Sequence, residues 1–198
     1  KDESGNTIKF TKAPERIISC MPSITEILFA LDLEKKVVGV TENCNYPESA
    51  KKKEKVGREK MNLEKVVSLK PDLIVMMKSA QKEDIDNFKK FGLPVFVIDP
   101  EDVEGIMYSI TKLGMATNRD HAAYQLTNSI SRQLTWIQTQ IKNAKKKKPT
   151  VFVEVCHKPL MTAAKGSLVN NVIEWAGGTN IAASLQGKYP EYSLEKLI

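Results

Sequence analysis

Four short apolar runs separated by helical stretches constrain this chain more than any other feature. They are "RIISC" (16–20), "KVVGVT" (36–41), "LIVMM" (73–77) and "PVFVID" (94–99). Each reads as a buried strand. Strands alternating with helices predict a parallel sheet with helices on its faces.

The stretches between them carry helical spacing. In "ITEILFALDL", Ile24, Ile27, Leu28 and Leu31 fall on one face. Ser23 is the expected N-cap, with Glu26 three residues on closing a capping box. Asn62 is expected to cap a short helix carrying Leu63, Val66 and Val67. "QKEDIDNFKKFG" is amphipathic and stops at Gly92. Residues 101–117 form a further helix. From Arg119 to Lys148 runs one long helical pattern with Leu126, Ile130, Leu134, Ile137 and Ile141 on one stripe. At ~1.5 Å per residue, about 28 residues span roughly 40 Å, enough to bridge two lobes. Lys145–Lys148 are expected at its C-terminal end, where cations favour the dipole.

After Pro149 the pattern restarts. "TVFVEV" (150–155) reads as a strand, "CHKPLMTAAKG" as a loop with a hairpin-like middle, "SLVNNVIEWAGG" as a helix and "TNIA" as a short extended piece. Tyr189-Pro190 and "SLEKLI" then repeat Tyr46-Pro47 and "NLEKVV". The shared order predicts an α/β fold of two similar lobes with parallel sheets, joined by one long backbone helix. The expected boundaries are an N-terminal lobe over 1–117, the helix over 118–148 and a C-terminal lobe over 149–198. Two lobes on a stiff connector make a cleft, a favoured place for a ligand.

Composition narrows the function classes. The net charge is +6, but only four of the 30 basic residues are Arg. A Lys-coated surface lacks the residue preferred for bidentate base and phosphate recognition, so nucleic-acid binding is not expected. No stretch approaches the ~20 apolar residues of a membrane span. "KDESGNTIKF" has no signal-peptide core, so any targeting segment has been removed or never existed. Cys20, Cys44 and Cys156 form no CxxC pair and no zinc spacing. A Cys20–Cys44 disulfide and buried free thiols are both open. There is no GxSxG, HExxH or phosphate-cradling loop, so no enzyme is expected. The rival from that class is a small α/β enzyme holding a nucleotide-like cofactor at a sheet edge. His121 and His157 are too far apart in sequence to suggest a bare-metal site.

"PERIISCMPSITEILFALDL", "VVGVTENCNYP", "NLEKVVSLKPDLIV" and "WAGGTNI" resemble the helical-backbone periplasmic substrate-binding proteins of ABC importers for cobalamin, iron siderophores and heme. The resemblance covers nearly the whole chain. "MPSITEILFA", "NYP" and "MNLEKV" make it most similar to the cobalamin-binding type. It implies a corrinoid captured in the interlobe cleft, with an iron siderophore or heme as the alternative, and no cofactor. The implied partners are the importer's transmembrane subunits, and the implied place is periplasmic or extracytoplasmic, with lipid anchoring through a removed N-terminal segment. It also implies a second lobe incomplete at its C-terminus. Between Glu64 and Asp99 the first lobe has 35 further residues of strand, helix and strand, and nothing equivalent follows Glu195. At least ~35 residues are then expected beyond Ile198, about 60–70 with a closing helix. The chain is expected to be a monomer, with dimerisation or swapping open to a lobe that leaves strand edges bare.

The resemblance assigns candidate site residues. Glu64 and Glu195 fall where the cobalamin-binding relatives place one surface Glu per lobe for docking into Arg pockets of the transporter. The alternative for each is a first-turn Glu that favours a helix N-terminus. Pro22, Ser23, Ile24 and Thr25 follow the first strand, where loops of open α/β sheets face ligands. Tyr46 and Tyr189 can stack an aromatic face on a flat macrocycle. His157 follows the first strand of the second lobe and can reach a metal centre. Arg58 and Lys78 complete the ligand-contact set. The family's aromatic after "KVG" is replaced here by Arg58-Glu59-Lys60, which admits an anionic ligand.

Overall fold

The computed structural model describes residues 1–8, 11–78 and 82–196. They form two compact units. Unit 1 comprises Lys1–Asp99 and Tyr108–Thr127, and unit 2 comprises Pro100–Met107 and Asn128–Ile198. The division differs from the boundaries expected at 117 and 148, because it falls inside two helices instead of at their ends.

Unit 1 is built on a five-stranded sheet: β1 (Ile17–Ser19), β2 (Val37–Val40), β3 (Glu54–Lys55), β4 (Leu73–Met77) and β5 (Val95–Ile98). The order is β3-β2-β1-β4-β5, and every pairing is parallel. Four strands match the apolar runs. β3 was not expected, because two charged residues carry no hydrophobic signal; its pairing of Gly39 with Glu54 and Val40 with Lys55 adds an edge. Alternate residues of the central strands point to one face. Ile18, Cys20, Ile74, Met76, Val95 and Val97 there pack with Ile85 and Phe88 in one buried cluster.

The helices are α1 (Pro22–Ala30), α2 (Leu63–Ser68), α3 (Lys82–Lys90), α4 (Val103–Thr117) and α5 (Asp120–Ala144). Asn62 caps α2 as expected, its side chain accepting from the Lys65 amide at 3.0 Å. Ser23 does not cap α1. The cap residue is Met21, Pro22 takes the first helical turn and no side chain bonds the free amides. Proline's fixed φ suits that turn, so the helix starts before Ser23. The N-terminus is also less passive than its polarity suggested. The buried Asp2 carboxylate accepts from the Val97 amide at 3.1 Å and from the Asn6 amide at 2.8 Å, tying residues 2–6 to β5.

α5 ends at Ala144, and Lys145–Lys148 lie in the connector beyond it, not on the helix as expected. Lys145 adopts a left-handed φ of 49°, which closes the helix there. The predicted stripe is only half-buried, and Ala123 is the one fully buried residue of α5 among those described.

Unit 2 holds two small sheets. "TVFVEV" is not one strand. It divides into β6 (Thr150–Val151) and β7 (Glu154–Cys156). β6 pairs in parallel with β9 (Thr179–Asn180), while β7 pairs antiparallel with β8 (Met161–Thr162). Different partners pull the two halves of the run into different ladders. The hairpin-like loop is thus the β7–β8 turn. α6 (Leu168–Trp175) is capped by Ser167, whose Oγ accepts from the Asn170 amide at 3.1 Å. It closes at Gly177, φ 78°, where a Cβ would lie 2.9 Å from Ile141. The Asn180 amide donates to the Ala163 carbonyl at 2.7 Å and to Asn170 Oδ1 at 2.9 Å, and its Oδ1 accepts from Ala182 N at 3.0 Å. The second "LEK" forms a single 3₁₀ turn, Leu194–Lys196, where the first forms α2. Leu197 and Ile198 of "SLEKLI", like Gln81 of the third helical stretch, lie outside the described residues.

Candidate functional site

In unit 1 the chain winds outward from β1 to β2 to β3, then returns to β4 beside β1 and continues to β5. The switch point therefore lies between β1 and β4. In open parallel sheets, the crevice at the carboxyl ends of such strands is the place for a ligand. The sequence candidates collect along that edge. Pro22 and Ser23 follow β1, Tyr46 lies in the loop after β2, Arg58 follows β3 and Lys78 follows β4.

Their exposure separates them. Ser23, Tyr46 (65% exposed) and Arg58 present surface, and Pro22 is half-buried. Ile24 and Thr25 have no exposed surface and belong to the core beneath the loop. Thr25 Oγ1 lies 2.7 Å from Ser19 Oγ, 3.1 Å from the Met21 carbonyl and 3.2 Å from Cys44 Sγ, and Cys44 Sγ lies 3.0 Å from Thr41 Oγ1. This buried chain of hydroxyls and a thiol ties the loop after β1 to the loop after β2. It sets the position of Tyr46 from below, and sequence reading missed it because no spacing rule links Ser19, Thr25, Thr41 and Cys44. Lys55 adds a second tie, donating to the Cys44 and Ala50 carbonyls at 3.4 and 3.3 Å.

None of Cys20, Cys44 and Cys156 forms a disulfide, and Cys20 and Cys44 are buried. At the end of β1, burial pushes the Cys20 thiol far above its usual range, and the Asp84 and Cys44 charges add to the shift. It stays a neutral packing group. Lys78 Nζ sits 3.6 Å from the Asp99 carboxylate, so two neighbouring strand ends carry paired opposite charges.

Glu64 is exposed in the first turn of α2. In unit 2, Glu195 is exposed on the 3₁₀ turn. His157 lies in the β7–β8 turn, exposed, with Nδ1 3.2 Å from the Glu154 carboxylate. Tyr189 is 44% exposed, on a segment that runs along β8: the Thr162 amide donates to Pro190 O, and the Ala164 amide to Lys188 O. Among the described residues, no cluster of three or more His, Cys, Asp and Glu could hold a metal ion, and no helix is long and apolar enough to cross a membrane.

The geometry, then, is that of a sheet whose switch-point edge displays an aromatic ring and cations on braced loops. Known proteins share the fold that carries this edge. The chain is 37% identical over 192 residues to an uncharacterised ABC transporter substrate-binding lipoprotein, YvrC, of Bacillus subtilis, covering 94% of this chain and 61% of that one. It is 30% identical over 189 residues to a vitamin B12-binding protein of Yersinia pseudotuberculosis, with coverage of 94% and 67%. The solved periplasmic vitamin B12 binding protein BtuF of Vibrio cholerae superposes with a TM-score of 0.82 at 28% identity, over 93% of this chain and 72% of that one. The chain thus spans about two thirds of the length of its relatives. These names describe solute binding rather than catalysis. The family model for periplasmic binding proteins matches residues 17–198, from β1 through the last described turn, and the chain belongs to that family.

Proposed function

We propose that the chain captures a corrinoid and delivers it to an ABC importer outside the cytoplasm. The observation that carries this reading is the similarity to a vitamin B12-binding protein across 94% of the chain. The switch-point edge supports it. Tyr46 supplies a flat face for a macrocycle, Pro22 and Ser23 line the loop beside it, and the buried Ser19–Thr25–Cys44–Thr41 chain keeps both loops in place. A loop fixed before binding loses less entropy when a ligand arrives. Ile24 and Thr25 act from behind, as supports. His157 and Tyr189 are the contacts offered by unit 2.

Glu64 and Glu195 are the docking carboxylates, one on each unit. Both are exposed, and a carboxylate can take a guanidinium with two parallel hydrogen bonds. A lipid anchor ahead of the N-terminus and a monomeric state complete the proposal. Within the same family, a second reading as a siderophore or heme binder is favoured by one observation: an exposed Arg58 stands among the contacts.

Two measurements test the proposal. Mixing the protein with cyanocobalamin, hemin or a ferric siderophore, followed by desalting and a visible spectrum, should leave the corrin chromophore with the protein. Retention of the iron chromophore alone overturns the corrinoid reading. Glu64→Arg with Glu195→Arg should then abolish stimulation of importer ATPase while ligand binding persists, because guanidinium would face guanidinium at a cost of several kcal/mol. Normal stimulation by the double variant refutes the docking role.

A further inference from the structure

The chain has four arginines, and three use their guanidinium internally. Arg16 Nε donates to the Leu69 carbonyl at 2.8 Å, Arg119 Nη2 to the Asp32 carbonyl at 3.4 Å and Arg132 Nε to the Asn128 carbonyl at 3.4 Å. Arg58 is the exception: no described residue takes its guanidinium, and the adjacent Glu59 forms no ion pair with it. A solvated surface arginine would look the same, but its loop is unusual.

Gly57 holds φ at 129°, a region other residues rarely adopt, and a Cβ there would run into the Lys60 carbonyl oxygen. Gly57 and Met61 form an antiparallel bridge across the tip. The Glu42 amide donates to Gly57 O at 2.9 Å, and the Asn62 amide to Val56 O at 2.8 Å. From α3, the buried Asp84 carboxylate accepts from the Met61 amide at 3.0 Å. Five residues are thus braced from four sides to raise one unpartnered guanidinium at the carboxyl edge of the sheet, two strands from the switch point.

We infer that Arg58 is a preformed anion reader, taking a carboxylate on the rim of the bound ligand and making the site prefer acidic macrocycles over their amidated or esterified counterparts. This rests on the proposed ligand class and sharpens it. Asp84 is a positioning residue that acts through the Met61 amide. A planar fork meets a carboxylate with two hydrogen bonds, which an ammonium does not reproduce.

The test uses two matched pairs of probes, hemin with its dimethyl ester and dicyanocobyrinic acid with its heptamethyl ester, titrated against the 198-residue chain by absorbance or calorimetry. The acidic member of the pair that binds should bind about tenfold tighter, the scale of a hydrogen bond to a charged group. Arg58→Gln should erase that preference and Arg58→Lys should restore only part of it, while Lys60→Gln leaves it intact. Thermal unfolding of Arg58→Gln should match the parent, since the side chain is exposed and takes no hydrogen bond or ion pair from the described residues. A preference that is absent, or that survives Arg58→Gln, overturns the inference and leaves the ligand class standing. Failure of all four probes to bind overturns both.

Discussion

Unit 1 buries Phe88, Ile74, Met76, Leu73 and Ile98, whereas the buried apolar residues of unit 2, among those described, are Ala163, Ala164, Ile173 and Ala182. The written order of elements is nearly the same in both. The sheets are not: strands of two to five residues join in a five-stranded parallel sheet in one unit, and two-residue to three-residue strands join in pairs in the other. Full burial of a large apolar side chain is worth about 1.5–3 kcal/mol, and an alanine far less. Unit 2 compensates with polar order, chiefly Asn170, Ser167 and Asn180, whose net contribution is about 1 kcal/mol per bond. A repeated motif therefore does not bring its own stability. That comes from how many neighbours its apolar face can cover.

The largest expected difference is in thiol access. Cys20 and Cys44 are buried in unit 1 and Cys156 is half-buried in unit 2. A thiol-specific reagent should label Cys156 roughly three to four orders of magnitude faster than the other two, because the core positions react only after an opening that costs about 5 kcal/mol. Comparable rates for all three would show that unit 1 is as loose as unit 2. Core truncation comes next. Phe88→Ala should cost about 3–5 kcal/mol in denaturant titration, and Ile173→Ala, with fewer large neighbours, about 2 kcal/mol. Equal costs would erase the contrast. The smallest effect concerns Glu54, whose carboxyl is held below its usual range by the hydrogen bond and charge of Lys65 at 2.7 Å. A carboxyl with a depressed folded pKa adds stability above its unfolded pKa and loses it as pH falls through the folded one. Glu54→Gln should flatten stability slightly between pH 4.5 and the acid range, and added salt should hide the difference. An effect there as large as that of Phe88→Ala would mean a surface pair outweighs the core.

Sequence patterning carried a good part of the architecture. "LIVMM" and "PVFVID" are apolar on both faces, which only a covered parallel strand satisfies, and both are strands. Asn62 and Ser167 cap the helices that follow them, because capping is settled within four residues. Ser23 failed on the same local scale, since Pro22 competes for the first turn. Of the site, the residues at the strand ends were legible once strand and helix alternated, because topology puts successive loops on one edge.

What the sequence determined by itself is the order of elements, the parallel class of the first sheet and the family, since periodicity, caps and motifs are properties of neighbours in the chain. The tertiary structure alone decided the rest. It recruited Glu54–Lys55 as an edge strand, split "TVFVEV" between two ladders, buried Ile24 and Thr25, and left Arg58 without a partner among the described residues. Each of these depends on residues far apart in the chain, such as Gly39 beside Glu54 or Asp84 beneath Met61. Pairing and burial are set by what the folded chain brings alongside, and no local pattern encodes that.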